Sequence, residues 1–76
     1  MNIVIYSKPQ CAGCEQAKSL LTSKGISYET KDITNPANLM ELKNLIPNVR
    51  SVPQIYINDT HVGGIKELRE YLNKRD

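Results

Sequence analysis

A continuous apolar run, Ile3-Val4-Ile5-Tyr6, constrains the fold of this chain more than any other stretch. Such a run, β-branched and without polar alternation, marks a strand buried on both faces. Ser7-Lys8-Pro9-Gln10 interrupts it, and Pro9 suits a strand-to-helix turn. Helix formers follow from about Ala12 to Lys24, with Cys14, Ala17, Leu20 and Leu21 on one face. Gly25 stands where a left-handed cap would end that helix. Strand character resumes from Ile26 to Ile33, where Ile26, Tyr28, Thr30 and Asp32 alternate against Ser27, Glu29 and Lys31. The result is a β-α-β unit, whose two strands are expected to be parallel with a right-handed crossover.

The second half adds three elements and a short return strand. Asn35-Pro36 reads as an N-cap with proline at the first helical position. The helix it opens is predicted to run to about Ile46, burying Leu39, Leu42, Leu45 and Ile46, until Pro47-Asn48 stops it. Pro53-Gln54-Ile55-Tyr56-Ile57 is a strand opening on a proline. Asn58-Asp59-Thr60 turns the chain, and His61-Val62 forms the return strand. Gly63-Gly64 leads into a last helix with Ile65, Leu68, Tyr71 and Leu72 facing inward. The predicted order is β-α-β-α-β-β-α, an α/β fold with a four-stranded mixed sheet and three helices. With no repeat, linker or low-complexity tract, residues 1–76 are expected to form one domain.

A chain of 76 residues buries only roughly 60% of its unfolded surface, and small secreted domains offset that deficit with several disulfides. Here two cysteines stand three apart, and a bridge closing so short a loop constrains little of the unfolded chain. Met1-Asn2 leads directly into the first strand without a basic start, a long apolar stretch or a small-residue cleavage site. No apolar run approaches the ~20 residues of a membrane span. The expected compartment is therefore the reducing cytoplasm, where a close cysteine pair is catalytic or metal-binding rather than structural. Ten basic and eight acidic residues, interspersed, give a charge of +2, and the four tyrosines are dispersed with no Trp or Phe. That pattern argues against a nucleic-acid surface.

Cys11-Ala12-Gly13-Cys14 falls where the first strand hands over to the first helix. At a helix N-terminus, unpaired N–H groups and the positive end of the dipole favour an anion, so Cys11 is expected to be the thiolate nucleophile. Lys8, three residues upstream, adds positive charge. Cys14 follows one turn later, its Cα expected about 5 Å away, inside the range a disulfide tolerates. Sharing the apolar face with Ala17 and Leu21, it should be the buried, resolving thiol. A zinc site is the alternative for such a pair, but four ligands are needed and only His61 is left to join the two thiolates. No metal is expected.

Considered together with Tyr6-Ser7-Lys8, Ser51-Val52-Pro53-Gln54-Ile55-Tyr56-Ile57 and His61-Val62-Gly63-Gly64, the cysteine pair resembles the glutaredoxin branch of the thioredoxin superfamily, nearly end to end. The resemblance implies the thioredoxin-like fold. It implies a cis bond between Val52 and Pro53 beside the cysteines, with the Val52 backbone pairing with a bound substrate in a strand-like manner. It also implies that Lys8 faces the glycine carboxylate of glutathione. Gly63-Gly64 would let the backbone approach the γ-glutamyl end, whose carboxylate would meet N–H groups at the start of the last helix, at Ile65 and Lys66. Two positions depart from the family's pattern. Ala12 and Gly13 stand where many glutaredoxins carry proline and an aromatic, which removes a wall of the glutathione groove. Lys66 stands where an acidic or small polar residue is frequent, and should repel the γ-glutamyl ammonium unless Glu67 turns inward to meet it.

The function so implied is reduction of protein disulfides and glutathione-mixed disulfides through a Cys11/Cys14 dithiol recycled by glutathione, in a monomer. Two alternatives remain open. One is a redoxin recycled by thioredoxin reductase and serving ribonucleotide reductase. The other is a carrier in which two chains hold an iron–sulfur cluster through Cys11 and two glutathiones.

Overall fold

Side chains along a strand alternate between faces, and the first strand, β1 (Ile3–Ser7), divides the protein on that rule. The computed structural model describes residues 1–74. After β1 come α1 (Ala12–Ser23), β2 (Glu29–Asp32), α2 (Pro36–Leu45), β3 (Gln54–Ile57), β4 (Thr60–Gly63) and α3 (Ile65–Lys74). The sheet order is β2-β1-β3-β4, with β1 and β2 parallel and the other two pairs antiparallel. The expected element order and mixed sheet are both present.

Ile3 and Ile5 point to one face, where they meet Ile55 and Ile57 of β3, Ala17 and Leu21 of α1, and Leu68 and Leu72 of α3. This is the main core, and burying each large aliphatic side chain in it is worth about 1.5–3 kcal/mol. Tyr6 points to the other face, packing edge-on to Tyr56 with ring centroids 5.9 Å apart. Its hydroxyl donates to Glu41 of α2, which also accepts from Lys31 of β2 at 2.6 Å. Thus α2 is held on the second face by Leu42, fully buried, and by a polar clamp joining α2, β1 and β2.

Helix ends follow their local chemistry. Asn35 Oδ1 accepts from the Ala37 N–H at 2.9 Å with Pro36 in the first turn of α2. Gly25 adopts φ +70° beyond α1, its N–H reaching the Thr22 carbonyl and that of Ile26 the Leu21 carbonyl. This is a Schellman closure. It also explains why β2 is shorter than the predicted Ile26–Ile33. The Ile26 N–H is committed to closing α1, so pairing with β1 starts only at Glu29. Leu45 departs from expectation too, being 52% exposed, with Leu39 and Ile46 half-buried. Only α2 covers that face and it packs towards the edge strand β2, so its buried stripe is narrow. No described helix is long and apolar enough to cross a membrane.

Candidate active site

The turn between β1 and α1 is set by one unusual backbone position and by the cap that follows it. Gln10 takes φ +58°, in the left-handed region that non-glycine residues rarely visit. Cys11 follows in an extended conformation as the N-cap of α1. Its Sγ accepts the Cys14 N–H at 3.2 Å, replacing the oxygen of an ordinary capping side chain. The cysteines are paired as a disulfide with their Cα atoms 5.3 Å apart. Cys11 is partly exposed, whereas Cys14 is fully buried on the face that carries Ala17 and Leu21. A disulfide with one accessible sulfur, held where an N–H and the helix dipole stabilise negative charge, supports thiol–disulfide exchange at that sulfur.

A second segment closes over the pair. The Val52–Pro53 bond is cis, and the Val52 carbonyl oxygen lies 3.5 Å from Cys11 Sγ. In the dithiol form that carbonyl can accept from the Cys11 S–H. Pro53 is buried between the two halves of the site. A Cβ on Gly13 would stand 3.1 Å from Pro53 Cδ and 3.9 Å from Ile65 Cγ2, and one on Gly64 would stand 3.7 Å from the Pro53 carbonyl oxygen. The proline therefore lies against both the cysteine turn and the turn into α3, and it is at Gly13 that bare backbone permits the close approach.

Of the predicted site residues, Cys11, Cys14, Gly13, Val52, Pro53, Gly64 and Ile65 are brought into this one region. Gly63 adjoins it at φ +123°, a conformation that glycine alone adopts readily. Lys8 is exposed, with no hydrogen bond or ion pair holding it among the described residues. Lys66 is also exposed. His61 bonds Gln54 Oε1 through Nε2 at 2.8 Å, and no three His, Cys, Asp or Glu side chains converge among the described residues.

From the sequence, Glu67 is considered only as turning inward to meet a ligand's ammonium. In the structure its carboxylate folds back onto the chain's own Gly64 N–H at 2.9 Å. Its Cγ lies 2.9 Å from where a Gly63 Cβ would be. This is half of a capping box, and its signal is the glutamate three residues after Gly64 at a helix start. The Gly64 N–H, the residue's own N–H and, beyond these, the charges of Lys66 and His61 hold the Glu67 carboxyl below the ordinary carboxylate range.

The glutaredoxin family profile matches residues 3–62. Glutaredoxin 3 of Escherichia coli K12 is 39% identical over 67 residues, covering 88% of this chain and 81% of that protein. The hybrid peroxiredoxin hyPrx5 of Haemophilus influenzae is 34% identical over 70 residues, which is 92% of this chain but only 29% of the longer protein. Among solved structures, a buckwheat glutaredoxin in complex with glutathione superposes with a TM-score of 0.79 at 26% identity, covering 96% of this chain and 69% of that one. With a cysteine pair closed at the head of α1, a thioredoxin-like sheet beneath it and a family match over most of its length, the chain belongs to the glutaredoxins, a family of thiol–disulfide oxidoreductases.

Proposed function

We propose that the protein reduces protein disulfides and glutathione-mixed disulfides with electrons from glutathione, in a reducing cytoplasm, with Cys11 as nucleophile and Cys14 as resolving thiol. The observation that carries this reading is the asymmetry of the pair: Cys11 is partly exposed and caps α1, and Cys14 is fully buried one turn on. The glutathione bound by the related buckwheat protein supports the choice of reductant.

The steps follow from that asymmetry. The Cys11 thiolate attacks one sulfur of a disulfide R–S–S–R′, forming Cys11–S–S–R and releasing R′–S⁻. Cys14, giving its proton to the departing thiolate, attacks the Cys11 sulfur. The Cys11–Cys14 bond forms, R–SH leaves, and two electrons have passed to the substrate. A glutathione thiolate then opens the disulfide at its accessible sulfur, giving a Cys11–glutathione mixed disulfide and a Cys14 thiolate that takes up a proton. A second glutathione attacks the glutathione sulfur, and oxidised glutathione leaves with the Cys11 thiolate regenerated. Lys8 and the N–H groups at Ile65 and Lys66 are the groups assigned to the two carboxylate ends of glutathione, with the Val52 backbone and the bare Gly13, Pro53, Gly63 and Gly64 surface along its length.

The test is turnover on a mixed-disulfide substrate with a single electron source. Glutathione with glutathione reductase should sustain turnover at a rate that saturates with glutathione. Turnover supported only by thioredoxin reductase would replace glutathione with a flavoprotein as reductant.

A further inference from the structure

The segment that leads to Val52 has little backbone support of its own. Among the described residues, no backbone–backbone hydrogen bond holds Arg50, Ser51 or Val52. One side chain takes that place. Gln54, the first residue of β3, reaches back over Val52 and Pro53 and donates from Nε2 to the Ser51 carbonyl at 2.9 Å. Its Oε1 faces His61 Nε2 at 2.8 Å, and the His61 ring rests against Tyr56 of β3, with centroids 5.0 Å apart. A carbonyl only accepts, so the amide nitrogen is the end that faces Ser51, and Oε1 then requires a proton on His61 Nε2. The matching neutral tautomer and the imidazolium both carry that proton, so the link does not depend on the charge of the ring.

We propose that Gln54, steadied by His61, is a positioning residue that aims the Val52 N–H at the substrate. The Ser51 carbonyl and the Val52 N–H belong to one planar trans peptide unit, in which the two groups point in opposite directions. Fixing the carbonyl on Gln54 therefore fixes the direction of the N–H. A carbonyl that accepts a hydrogen bond also polarises its own peptide unit, which makes that N–H a stronger donor. The Val52 carbonyl lies 3.5 Å from Cys11 Sγ, so an extended substrate pairing with this edge runs beside the nucleophile. The proposal rests on the reading that Val52 pairs with substrate in a strand-like manner, and it needs no charged group on the ligand. The substrates it favours are disulfides whose cysteine is flanked by backbone amides. Small disulfides without amides gain nothing from Gln54.

The test is single-turnover oxidation of the dithiol protein, quenched and read by mass, with two uncharged disulfides. That of N-acetylcysteine methylamide presents backbone amides on both sides of each cysteine; 2-hydroxyethyl disulfide presents none. Dividing each rate constant by that of the same disulfide with free dithiothreitol removes its intrinsic reactivity. The wild type should favour the amide-bearing disulfide. Gln54→Ala should lower that rate constant roughly three- to tenfold, the scale of one hydrogen bond, and leave the other within about twofold. Gln54→Glu sets a carboxylate oxygen against the Ser51 carbonyl and should lose as much, although it still accepts from His61. His61→Phe keeps a ring against Tyr56 and removes the donor; it should lose less, because the bond to Ser51 can still form. Amide spectra verify the fold of each variant, and the neutral His61 ring of the wild type should carry its proton on Nε2 in nitrogen-15 spectra. Equal slowing with both disulfides, or slowing with neither, overturns the proposal and leaves the Val52 reading intact where the wild type keeps its preference. A wild type without that preference shows that the Val52 edge pairs with no substrate, and the reading and the proposal fail together.

Discussion

Cys11 and Cys14 are the same side chain given different work by their surroundings. Cys11 Sγ receives the Cys14 N–H at the positive end of α1, while Cys14 is fully buried on the helix face that also carries Ala17 and Leu21. In the reduced protein Cys11 should therefore be alkylated by iodoacetamide with a pH midpoint below the ~8.5 of an ordinary thiol, and Cys14 only slowly. A midpoint for Cys11 at or above that value would show that the helix terminus does not stabilise its thiolate. Cys14→Ser should keep activity on glutathione-mixed disulfides, where a second glutathione completes the exchange, and lose dithiol reduction of protein disulfides. Parallel assays on the two substrate classes check this, and loss of both in a folded variant would contradict the division of roles. Gly13 shows what a neighbour does to a residue whose own chemistry is nil: with Pro53 Cδ 3.1 Å from its Cβ position, any side chain there pushes on the segment that holds the Val52 carbonyl against Cys11.

At the scale of elements, each helix depends on a specific terminus. α1 ends on Gly25 at φ +70°, and nothing lies within 4 Å of a Cβ placed there. Gly25→Ala thus meets no clash, and its cost is the left-handed backbone alone. It should lower unfolding stability by about 1–2 kcal/mol, measured by urea denaturation, with disulfide-exchange activity unchanged. A neutral result would mean that the turn relaxes without loss of the closure at Ile26. The shortness of β2 belongs to the same junction, because one N–H cannot serve both the end of α1 and the first rung of a ladder. Gly25 and Asn35-Pro36 were both legible in the sequence because cap chemistry is local. Leu45 was not: its periodicity matches that of Leu42, and only the number of elements covering that face decides which is buried.

Across the whole molecule, charge ties α2 and α3 to the rest. Glu41 is held below the ordinary carboxylate range by Lys31 and then by the Tyr6 hydroxyl, Asp32 by the Thr34 N–H and hydroxyl, and Glu67 first by the Gly64 N–H. A carboxyl with a lowered folded-state pKa adds stability above its unfolded value and loses it as pH falls through the folded one. Stability of the oxidised protein should therefore decline as pH drops below about 4.5. At the other end, the Lys31 pKa is raised chiefly by its bond to Glu41 and the Tyr6 pKa chiefly by burial. Groups with raised values add stability below their unfolded pKa and lose it as pH rises through the folded one, so a second decline should begin above about pH 10. Urea midpoints measured across pH check both limbs. Glu41→Gln should make both shallower, since the same carboxylate serves each; steepness unchanged on both sides would remove the clamp from the account.

What the sequence by itself determined is what short-range chemistry encodes: the buried first strand, the caps, the spacing that lets Cys11 meet Cys14, and the glycines at Gly25, Gly63 and Gly64. These depend on a residue and its neighbours within about a turn, and so read directly from the chain. The tertiary structure decided the rest. It set Pro53 between Gly13 and Gly64, brought Glu41 to both Tyr6 and Lys31, and left Leu45 in water. It also laid Glu67 over the glycines that composition alone leaves open. Its capping signal, a glutamate three residues after Gly64, is local, but that the carboxylate lies against Gly63 as well follows from the φ +123° turn of the folded chain.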